Sequence, residues 1–353
     1  MRKGKRLIAW IIAVVMLFTI CVFGGNGTAE AAATTPVAKH GRLSVKGADL
    51  VDSKGNKFQL RGISTHGINW DVGSPYVNKK AFKTLRDDWG VNAIRLAMYT
   101  EEYNGYCSGG SQAKLRKLVD KGVGYATDLG MYAIIDWHIL SDGNPNKNKS
   151  QAKKFFTTMA KKYKNNKNVI YEICNEPNGC SWKEIKSYAT DIIKTIRKYD
   201  KKAVIIVGTP TWSQLGTDGT SNEVADSPIK GYKNIMYSLH FYASEWAHNE
   251  YLPAKVAYAR KKKLPIIVSE FGLSPASGDG AINKASADKW MKLLNKYNIS
   301  YFCWSLSNKN ESASLLKPST KKTSGWKSGD LSTAGKYIKK KYLARKKALG
   351  KKA

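Results

Sequence analysis

The sequence predicts an α/β fold in which eight parallel strands close into a barrel, the (β/α)8 or TIM-barrel architecture, with a small N-terminal β-hairpin. Eight short β-rich segments alternate with amphipathic helical segments, which is the order of βα units. The β-rich segments are apolar almost throughout, as strands covered on both faces are. Eight such units within about 270 residues favour a closed barrel over an open doubly wound sheet.

The predicted elements follow one another along the chain. The eight strand segments are QLRGIS, VNAIRLAMY, MYAIIDWH, NVIYEICN, AVIIVG, IMYSLHFY, LPIIVSEFG and ISYFCWSL. The helical segments between them often end at glycine, as at Gly90 and Gly130, where a left-handed terminating residue is typical. The helical pattern after the fifth strand is the weakest. Ahead of the barrel, LSVKGADLVDSKGNKFQL predicts the hairpin, with residues 53–56 as its turn.

The N-terminal segment has the three-part pattern of a secretory signal peptide. A basic start is followed by an apolar run from Leu7 to Phe23 and by small residues that indicate cleavage after Ala31 or Ala33. Because the apolar run approaches the length that spans a bilayer, an uncleaved anchor is the alternative. The predicted organisation is a signal peptide at 1–33, a linker at 34–39, one (β/α)8 domain at 40–345 and a basic tail at 346–353. We therefore expect an extracellular monomer without stable membrane association after cleavage.

The chain is strongly basic, with 59 Lys and Arg against 27 Asp and Glu and a formal net charge of +32. Such a charge favours anionic partners, for example nucleic acid or an acidic cell-wall polymer. Many of the lysines, however, alternate with apolar residues on helical segments, and nine basic residues crowd the last eighteen positions. No nucleic-acid-binding motif accompanies them, so we predict that the chain does not bind nucleic acid.

Four cysteines lie in the part of the chain that is expected to be exported: Cys107, Cys174, Cys180 and Cys303. An oxidising compartment allows one or two disulfides, and three full pairings of four cysteines are open. The cysteine spacings match no CxxC or histidine-rich metal pattern. We therefore expect no structural metal site.

Polar and aromatic residues gather where the predicted strands end. In barrels of this kind the C-terminal ends of the strands carry the active site. The residues at these ends are Arg95, His138, Asn175, Glu176, His240, Tyr242, Glu270 and Trp304. Eight such side chains at one end of a barrel are difficult to explain by stability alone. We interpret them as one functional site.

Two of these residues, Glu176 and Glu270, are carboxylates at the exits of the fourth and seventh strands. Burying a carboxylate costs free energy unless the site uses its charge, and paired carboxylates are the groups that cleave glycosidic bonds. Asp136 is the nearest rival, and we interpret it as structural because it lies inside its strand. The pair indicates hydrolysis of a glycoside.

Six motifs occur on the predicted strands: IRLAMY at 94–99, DWH at 136–138, NEP at 175–177, HFY at 240–242, SEFG at 269–272 and WSL at 304–306. Together they resemble glycoside hydrolase family 5, in its branch of bacterial endo-β-1,4-glucanases, over roughly residues 38–343. The resemblance implies a secreted, retaining enzyme that hydrolyses internal bonds of cellulose and related β-glucans without metal or organic cofactor. Cys174 and Cys303 depart from it, because small or polar residues are expected there.

The resemblance also implies roles for individual residues. Glu176 would be the general acid/base and Glu270 the nucleophile, so the first must be protonated while the second is ionised. Asn175 would bind the sugar 2-hydroxyl next to the scissile bond. Three residues would keep Glu270 charged and hold its oxygens in place: Arg95, His240 and Tyr242.

Further residues would bind the glucan chain by the same resemblance. Trp304 would be the platform beneath the reacting sugar, although ordinary core packing is the alternative for any tryptophan. The complete substrate-binding set is His66, Trp70, Tyr99, His138, Trp212, Trp304, Lys309 and Glu311, with the last two at a distal glucose.

Two other functions are open to this sequence. A β-mannanase or another β-glucanase of the same family would use the same carboxylates on sugars with axial or equatorial 2-hydroxyls. A non-catalytic protein that binds cell-wall polysaccharide would be of a different class. The second is disfavoured, because a binding protein gains nothing from two opposed carboxylates.

Overall fold

A computed structural model describes residues 35–350. A two-stranded antiparallel hairpin, β1 (Ser44–Lys46) and β2 (Asp49–Val51), precedes a closed barrel of eight parallel strands, in which the last strand pairs with the first. The barrel strands are β3 (Arg61–Thr65), β4 (Ala93–Tyr99), β5 (Tyr132–His138), β6 (Val169–Glu172), β7 (Ile205–Val207), β8 (Ile235–Tyr242), β9 (Ile266–Gly272) and β10 (Tyr301–Leu306). The predicted (β/α)8 barrel with an N-terminal hairpin is confirmed.

Helices connect the strands and cover the outside of the barrel. They are α1 (Pro36–His40), α2 (Lys79–Trp89), α3 (Gln112–Asp128), α4 (Lys149–Tyr163), α5 (Trp182–Arg197), α6 (Pro210–Ser213), α7 (Glu223–Asp226), α8 (Trp246–Lys261), α9 (Lys284–Lys296) and α10 (Thr333–Gly350). α2 ends at Gly90, whose φ of 75° lies in the left-handed region. Only the short helices α6 and α7 follow the fifth barrel strand, where the helical pattern of the sequence is weakest.

The hairpin and the linker differ from the sequence prediction. Gly47 and Ala48 form the hairpin turn, because Gly47 has a φ of 60° that suits a tight reversal. Residues 53–56 form a second turn, in which Asp52 accepts hydrogen bonds from backbone N–H groups. The predicted linker at 34–39 contains most of helix α1, and Val37 of this helix packs on the apolar interior of the barrel.

The two ends of the chain lie partly outside the described residues. The predicted signal peptide at 1–33 falls there, as do residues 351–353 of the basic tail. The first part of that tail is not separate from the domain, because α10 continues to Gly350. Within residues 35–350 no helix is long and apolar enough to cross a membrane, and the four cysteines are free thiols, so none of the open disulfide pairings is formed.

The interior of the barrel changes character along its axis. Its N-terminal half is apolar, and Phe302 packs so closely on Gly62 that a Cβ there would lie 2.0 Å from the ring. Toward the C-terminal ends of the strands the interior carries Arg95, Asp136 and Glu172, all fully buried. Charged groups are rarely buried unless they are paired, so this end of the barrel is built for chemistry more than for stability.

A register shift between β8 and β9 directs Glu270 into the barrel mouth. Ser238 pairs with Ile267, but His240 pairs with Glu270, so β9 carries one extra residue between these pairs. A regular register would place Ser269 opposite His240. The extra residue is a β-bulge, a feature that often aims a side chain next to an active site.

Candidate active site

A cavity of about 630 Å³ opens at the C-terminal ends of the barrel strands. Every residue predicted for the site lines this cavity except Arg95 and Asn175, which are buried beneath it. The lining residues from the prediction are His66, Trp70, Tyr99, His138, Glu176, Trp212, His240, Tyr242, Glu270, Trp304, Lys309 and Glu311. The barrel therefore gathers residues from all eight strand exits at one place.

Glu176 and Glu270 face each other in this cavity. One oxygen of each carboxyl and a ring nitrogen of His240 lie within 4.8 Å of one another. The loop that carries Glu176 is held to the neighbouring strand, because the backbone N–H of Glu176 donates to the carbonyl of Ile139 at 3.3 Å. The two carboxyls are thus fixed by elements on opposite sides of the barrel mouth.

Both carboxylate oxygens of Glu270 accept hydrogen bonds from neighbouring side chains. Arg95 Nη1 donates to Glu270 Oε2 at 2.9 Å, and the Tyr242 hydroxyl donates to Glu270 Oε1 at 2.7 Å. Each oxygen is thereby held by a donor, one of them cationic. Glu270 itself is only 4% exposed, so its orientation is fixed from within the protein.

The surroundings of Glu176 favour a protonated carboxyl. Burial raises the pKa of Glu176 to about 8, and the nearby Asp136 and Glu172 raise it while Arg95 opposes them. Glu176 Oε1 lies 2.7 Å from Nδ1 of His240, and burial lowers the pKa of His240 to about 4. A neutral imidazole therefore faces a neutral carboxylic acid at neutral pH, and the acid donates its proton to Nδ1.

His240 does not hold Glu270, in contrast to the expectation from the resemblance. Its Nδ1 faces Glu176, and its Nε2 lies 2.9 Å from Oγ of Ser269. Because Glu176 donates to Nδ1, the neutral ring carries its hydrogen on Nε2 and donates it to Ser269. His240 thus orients the acid and not the nucleophile, while Arg95 and Tyr242 contact Glu270 as expected.

Arg95 is the centre of the buried charge network. Its Nε donates to Glu172 at 2.7 Å, and its Nη2 donates to Asn175 Oδ1 at 2.5 Å and lies 3.1 Å from Asp136. Burial alone would lower the pKa of Arg95, but Asp136, Glu172 and Glu270 raise it above its ordinary value. The guanidinium is therefore permanently charged and held in one orientation by three carboxyls.

Glu172 is the residue of this network that sequence reasoning missed. It sits on β6 in register with Asp136 of β5, and both point to the same arginine. The feature of the sequence that points to Glu172 is Arg95. A guanidinium inside a barrel needs more neighbouring negative charge than the carboxylate of one nucleophile supplies. Asp136 has the structural role expected of it, because it also binds Nδ1 of His138 at 2.6 Å.

Asn175 lies deeper than its expected role requires. Oδ1 accepts from Arg95, while Nδ2 donates to the carbonyl of Ile139 at 3.1 Å and faces Nε2 of His138 at 3.2 Å. The residue is 1% exposed. Its side-chain amide is fully used within the protein, so in this structure Asn175 acts by fixing Arg95 and His138. Its contact with a sugar hydroxyl stays a prediction.

Aromatic rings form one wall of the cavity. Trp304 is 6% exposed and stacks on His138 with ring centroids 5.3 Å apart. Trp70 packs on Tyr99 at 4.5 Å and donates its indole N–H to a backbone carbonyl. Trp212 stands apart from them and is 43% exposed, so it offers an open face to a ligand.

Lys309 and Glu311 form a charged pair at one end of the cavity. Lys309 Nζ lies 2.5 Å from Glu311 Oε2, and the other oxygen of Glu311 lies 3.7 Å from Nε2 of His66. Glu311 is nearly buried, whereas the lysine is half exposed. The pair presents both donors and acceptors of hydrogen bonds, which is the chemistry that sugar hydroxyls need.

The carboxyls and His240 offer a set of atoms that could hold a metal ion, but the donor chemistry does not fit one. Glu270 is already bound by a guanidinium and a phenol hydroxyl, and His240 is bound by Ser269. A cation at this point would lie close to the charge of Arg95. The arrangement fits a proton donor and a nucleophile instead.

Two carboxyls that face each other at the mouth of a (β/α)8 barrel are typical of a glycoside hydrolase. The model of the cellulase family, glycosyl hydrolase family 5, matches residues 51–310. The chain belongs to this family, and the resemblance seen in its motifs is confirmed.

Its relatives are endoglucanases. The chain is 47% identical to an endoglucanase of Clostridium saccharobutylicum over 95% of this chain and 72% of that protein. It is 45% identical to endoglucanase A of Butyrivibrio fibrisolvens over 85% of this chain and 68% of that protein. The catalytic domain of the Thermobifida fusca endoglucanase Cel5A, solved in complex with cellotetraose, has a TM-score of 0.81 at 37% identity, covering 88% of this chain and 99% of that one.

Proposed function

We propose that this protein is a secreted endo-β-1,4-glucanase that hydrolyses internal bonds of cellulose and related β-glucans with retention of anomeric configuration. The observation that carries the proposal is the separation of Glu176 and Glu270, whose nearest oxygens lie within 4.8 Å. Carboxyls about 5 to 5.5 Å apart suit a retaining enzyme, whereas an inverting one needs about 6.5 to 9.5 Å to admit a water.

In the first step Glu270 attacks the anomeric carbon and Glu176 protonates the departing glycosidic oxygen. The bond from the anomeric carbon to that oxygen breaks as the ester bond to Glu270 forms. Arg95 and Tyr242 hold Glu270 for this attack. The high pKa of Glu176, about 8, supplies the proton near neutral pH.

In the second step water replaces Glu270 at the anomeric carbon. Esterification removes the negative charge of Glu270, which lies within 4.8 Å of Glu176 and opposes ionisation of the latter. Glu176 therefore loses its proton more readily in the intermediate and accepts one from the attacking water. One carboxyl thus serves as acid and then as base.

The cavity supports a glucan chain as substrate. Aromatic faces at Trp304 and Trp212 suit the apolar faces of sugar rings, and the Lys309–Glu311 pair suits their hydroxyls. The relatives are endoglucanases, and one related catalytic domain holds cellotetraose. Secretion is supported by the signal-peptide pattern of residues 1–33 alone, and we propose that the exported enzyme acts as a monomer.

The substrate proposal is tested by hydrolysis of carboxymethylcellulose, lichenan and mannan with purified protein. An endoglucanase should lower the viscosity of carboxymethylcellulose well before many reducing ends appear, because it cuts internal bonds. Lichenan should be hydrolysed too, and mannan at least about tenfold more slowly, as expected when a subsite contact is lost. Faster hydrolysis of mannan than of the glucans would show that the enzyme is a β-mannanase. If none of the polymers released reducing sugar, the protein would be a non-catalytic polysaccharide-binding protein.

The pH dependence should follow the ionisation of Glu176. Because burial raises the pKa of Glu176 to about 8, kcat/KM on a soluble glucan should fall as the pH rises through this value. The measurement is kcat/KM from about pH 5 to about pH 10. Full activity at the alkaline end of that range would contradict the assignment of Glu176 as the acid.

The raised pKa of Glu176 should also make the stability of the folded enzyme depend on pH. A carboxyl whose pKa rises on folding contributes stability fully below its unfolded pKa, near 4.5, and this contribution is lost as the pH rises through the folded value of about 8. The melting temperature of the unmodified enzyme, relative to Glu176→Gln, should therefore decrease between about pH 5 and about pH 9. A difference that does not change with pH would mean that Glu176 is not protonated in the folded state.

A further inference from the structure

A second large groove lies at the opposite end of the barrel from the active site. It has a volume of about 1110 Å³. Its floor includes Arg61, the first residue of β3, and Asn92, which directly precedes β4, so it lies at the N-terminal ends of the strands. Residues of α1 and α10 form its sides.

The groove carries a strong excess of positive charge. The charged residues that line it are Lys39, Lys54, Lys57, Arg61, Lys346 and Lys347 on the positive side, and Asp52 on the negative side. Asp52 is already engaged by Nδ1 of His40 at 3.0 Å and by two backbone N–H groups. Lys57 has its own partner in Asp49 at 3.0 Å. The other lysines are in no ion pair within residues 35–350.

Arg61 is a buried guanidinium without a carboxylate partner among the described residues. It is 8% exposed, and its Nε donates to the carbonyl of Gly90 at 3.3 Å. Burial lowers the pKa of Arg61, and the neighbouring positive charge of Arg345 lowers it further. Its terminal nitrogens line the groove with no acceptor in residues 35–350, which is unusual, because a buried guanidinium is normally paired.

The free end of Arg61 suits an oxyanion. Arg binds carboxylates with two parallel hydrogen bonds, so a carboxylate group is the ligand chemistry that this guanidinium recognises best.

The rest of the lining is apolar. Phe58, Leu343 and Leu349 line the groove beside the lysines. The aliphatic stem of Lys346 packs over Gly90, whose carbonyl accepts the hydrogen bond from Arg61 Nε. A ligand that fits this surface has oxyanions at intervals and apolar faces between them. Sugar rings that carry carboxylates have both, whereas a polyphosphate chain has no apolar face.

We propose that this groove binds an acidic polysaccharide, with a carboxylate beside Arg61 and further carboxylates along the flanking lysines. The proposal is independent of the glucanase activity. Because the groove and the catalytic cavity lie at opposite ends of the barrel, both polymers can be bound at once. The enzyme would then be retained on a matrix of acidic polysaccharide while its active site stays open to neutral glucan.

The test is a titration of the purified enzyme with sodium polygalacturonate at low salt. Lys346→Gln/Lys347→Gln removes two charges from the groove, and Lys117→Gln/Lys121→Gln removes two from the exposed face of α3 as the matched control. We expect the groove variant to bind about tenfold more weakly and the control to stay within about twofold, with binding in all proteins lost at high salt. Hydrolysis of a soluble neutral β-glucan should be unchanged in both variants.

Two results would overturn the proposal. Equal weakening in both double variants would show that the overall charge of the chain attracts the polymer and that the groove has no special role. Equal or tighter binding of polyphosphate or duplex DNA through the same two lysines would show a different class of ligand. Arg61→Gln should weaken binding at least as much as the groove variant, and the lysine pair keeps the test decisive if Arg61→Gln does not fold.

Discussion

Replacing Glu270 by glutamine is expected to lower kcat/KM on carboxymethylcellulose by roughly 10⁴- to 10⁶-fold, because the enzyme loses its nucleophile. Glutamine has nearly the same shape and keeps an oxygen that can accept from Arg95 or Tyr242. The fold should therefore survive, which a thermal melt can verify. Arg95 also keeps Asp136 and Glu172 as partners for its charge.

The matched control for this variant is Glu245→Gln. Glu245 lines the same cavity but has no contact with Arg95, and it accepts a hydrogen bond from the backbone N–H of Ala276 at 2.7 Å. Its replacement should change kcat/KM by less than about tenfold. More than about one per cent of residual activity in Glu270→Gln, with synthesis errors and contamination excluded, would remove Glu270 from the mechanism.

Replacing Glu176 by alanine is expected to divide substrates into two groups. Hydrolysis of the polymer should decrease by about 10²- to 10⁴-fold, because its poor leaving group needs a proton. An aryl glycoside with an acidic phenol needs none, so its first step should survive and the covalent intermediate should accumulate. Azide, which reacts without a general base, should then accelerate turnover and give a β-glycosyl azide.

The corresponding alanine variant of Glu270 provides the comparison. Azide cannot restore a β-product there, because the nucleophile is absent, and any azide product should have the α-configuration from attack at the vacated face. The same rescue pattern in both variants would mean that the roles of Glu176 and Glu270 are not distinct. Loss of activity on aryl glycosides in Glu176→Ala, without an accumulated intermediate, would assign Glu176 another role.

Much of the architecture could be predicted because it depends on a repeating pattern. The eight strands were recognisable from apolar segments at regular intervals, and topology then brings their C-terminal ends together. This is why the sequence alone predicts that Glu176, Glu270 and the surrounding aromatic residues share one site. The weak helices after the fifth strand were equally visible, since that segment lacks an amphipathic period.

The features that were missed depend on local geometry that no periodicity encodes. A single-residue bulge in β9 decides that Glu270 and not Ser269 stands opposite His240. The partner of His240 follows from that bulge, so its contact with Glu176 could not be read from the sequence. Glu172 looked like one more strand residue until Arg95 was seen to bind it.

The hairpin shows a related limit. Both Gly47 and residues 53–56 carry turn signals in the sequence, and only the observed pairing of β1 with β2 shows that Gly47 and Ala48 close the hairpin. The helix at Pro36–His40 forms because Thr35 caps it and Val37 packs on the barrel. Composition alone made this segment resemble a linker.

The central claim is double displacement by Glu176 and Glu270, and proton NMR of the first product tests it most directly. Hydrolysis of a soluble cello-oligosaccharide is followed from the first minutes, before mutarotation equilibrates the new reducing end. Double displacement predicts that the β-anomer appears first and the α-anomer grows only later. An α-anomer that appears first would show single displacement by water, and the roles assigned to the two carboxyls would be wrong.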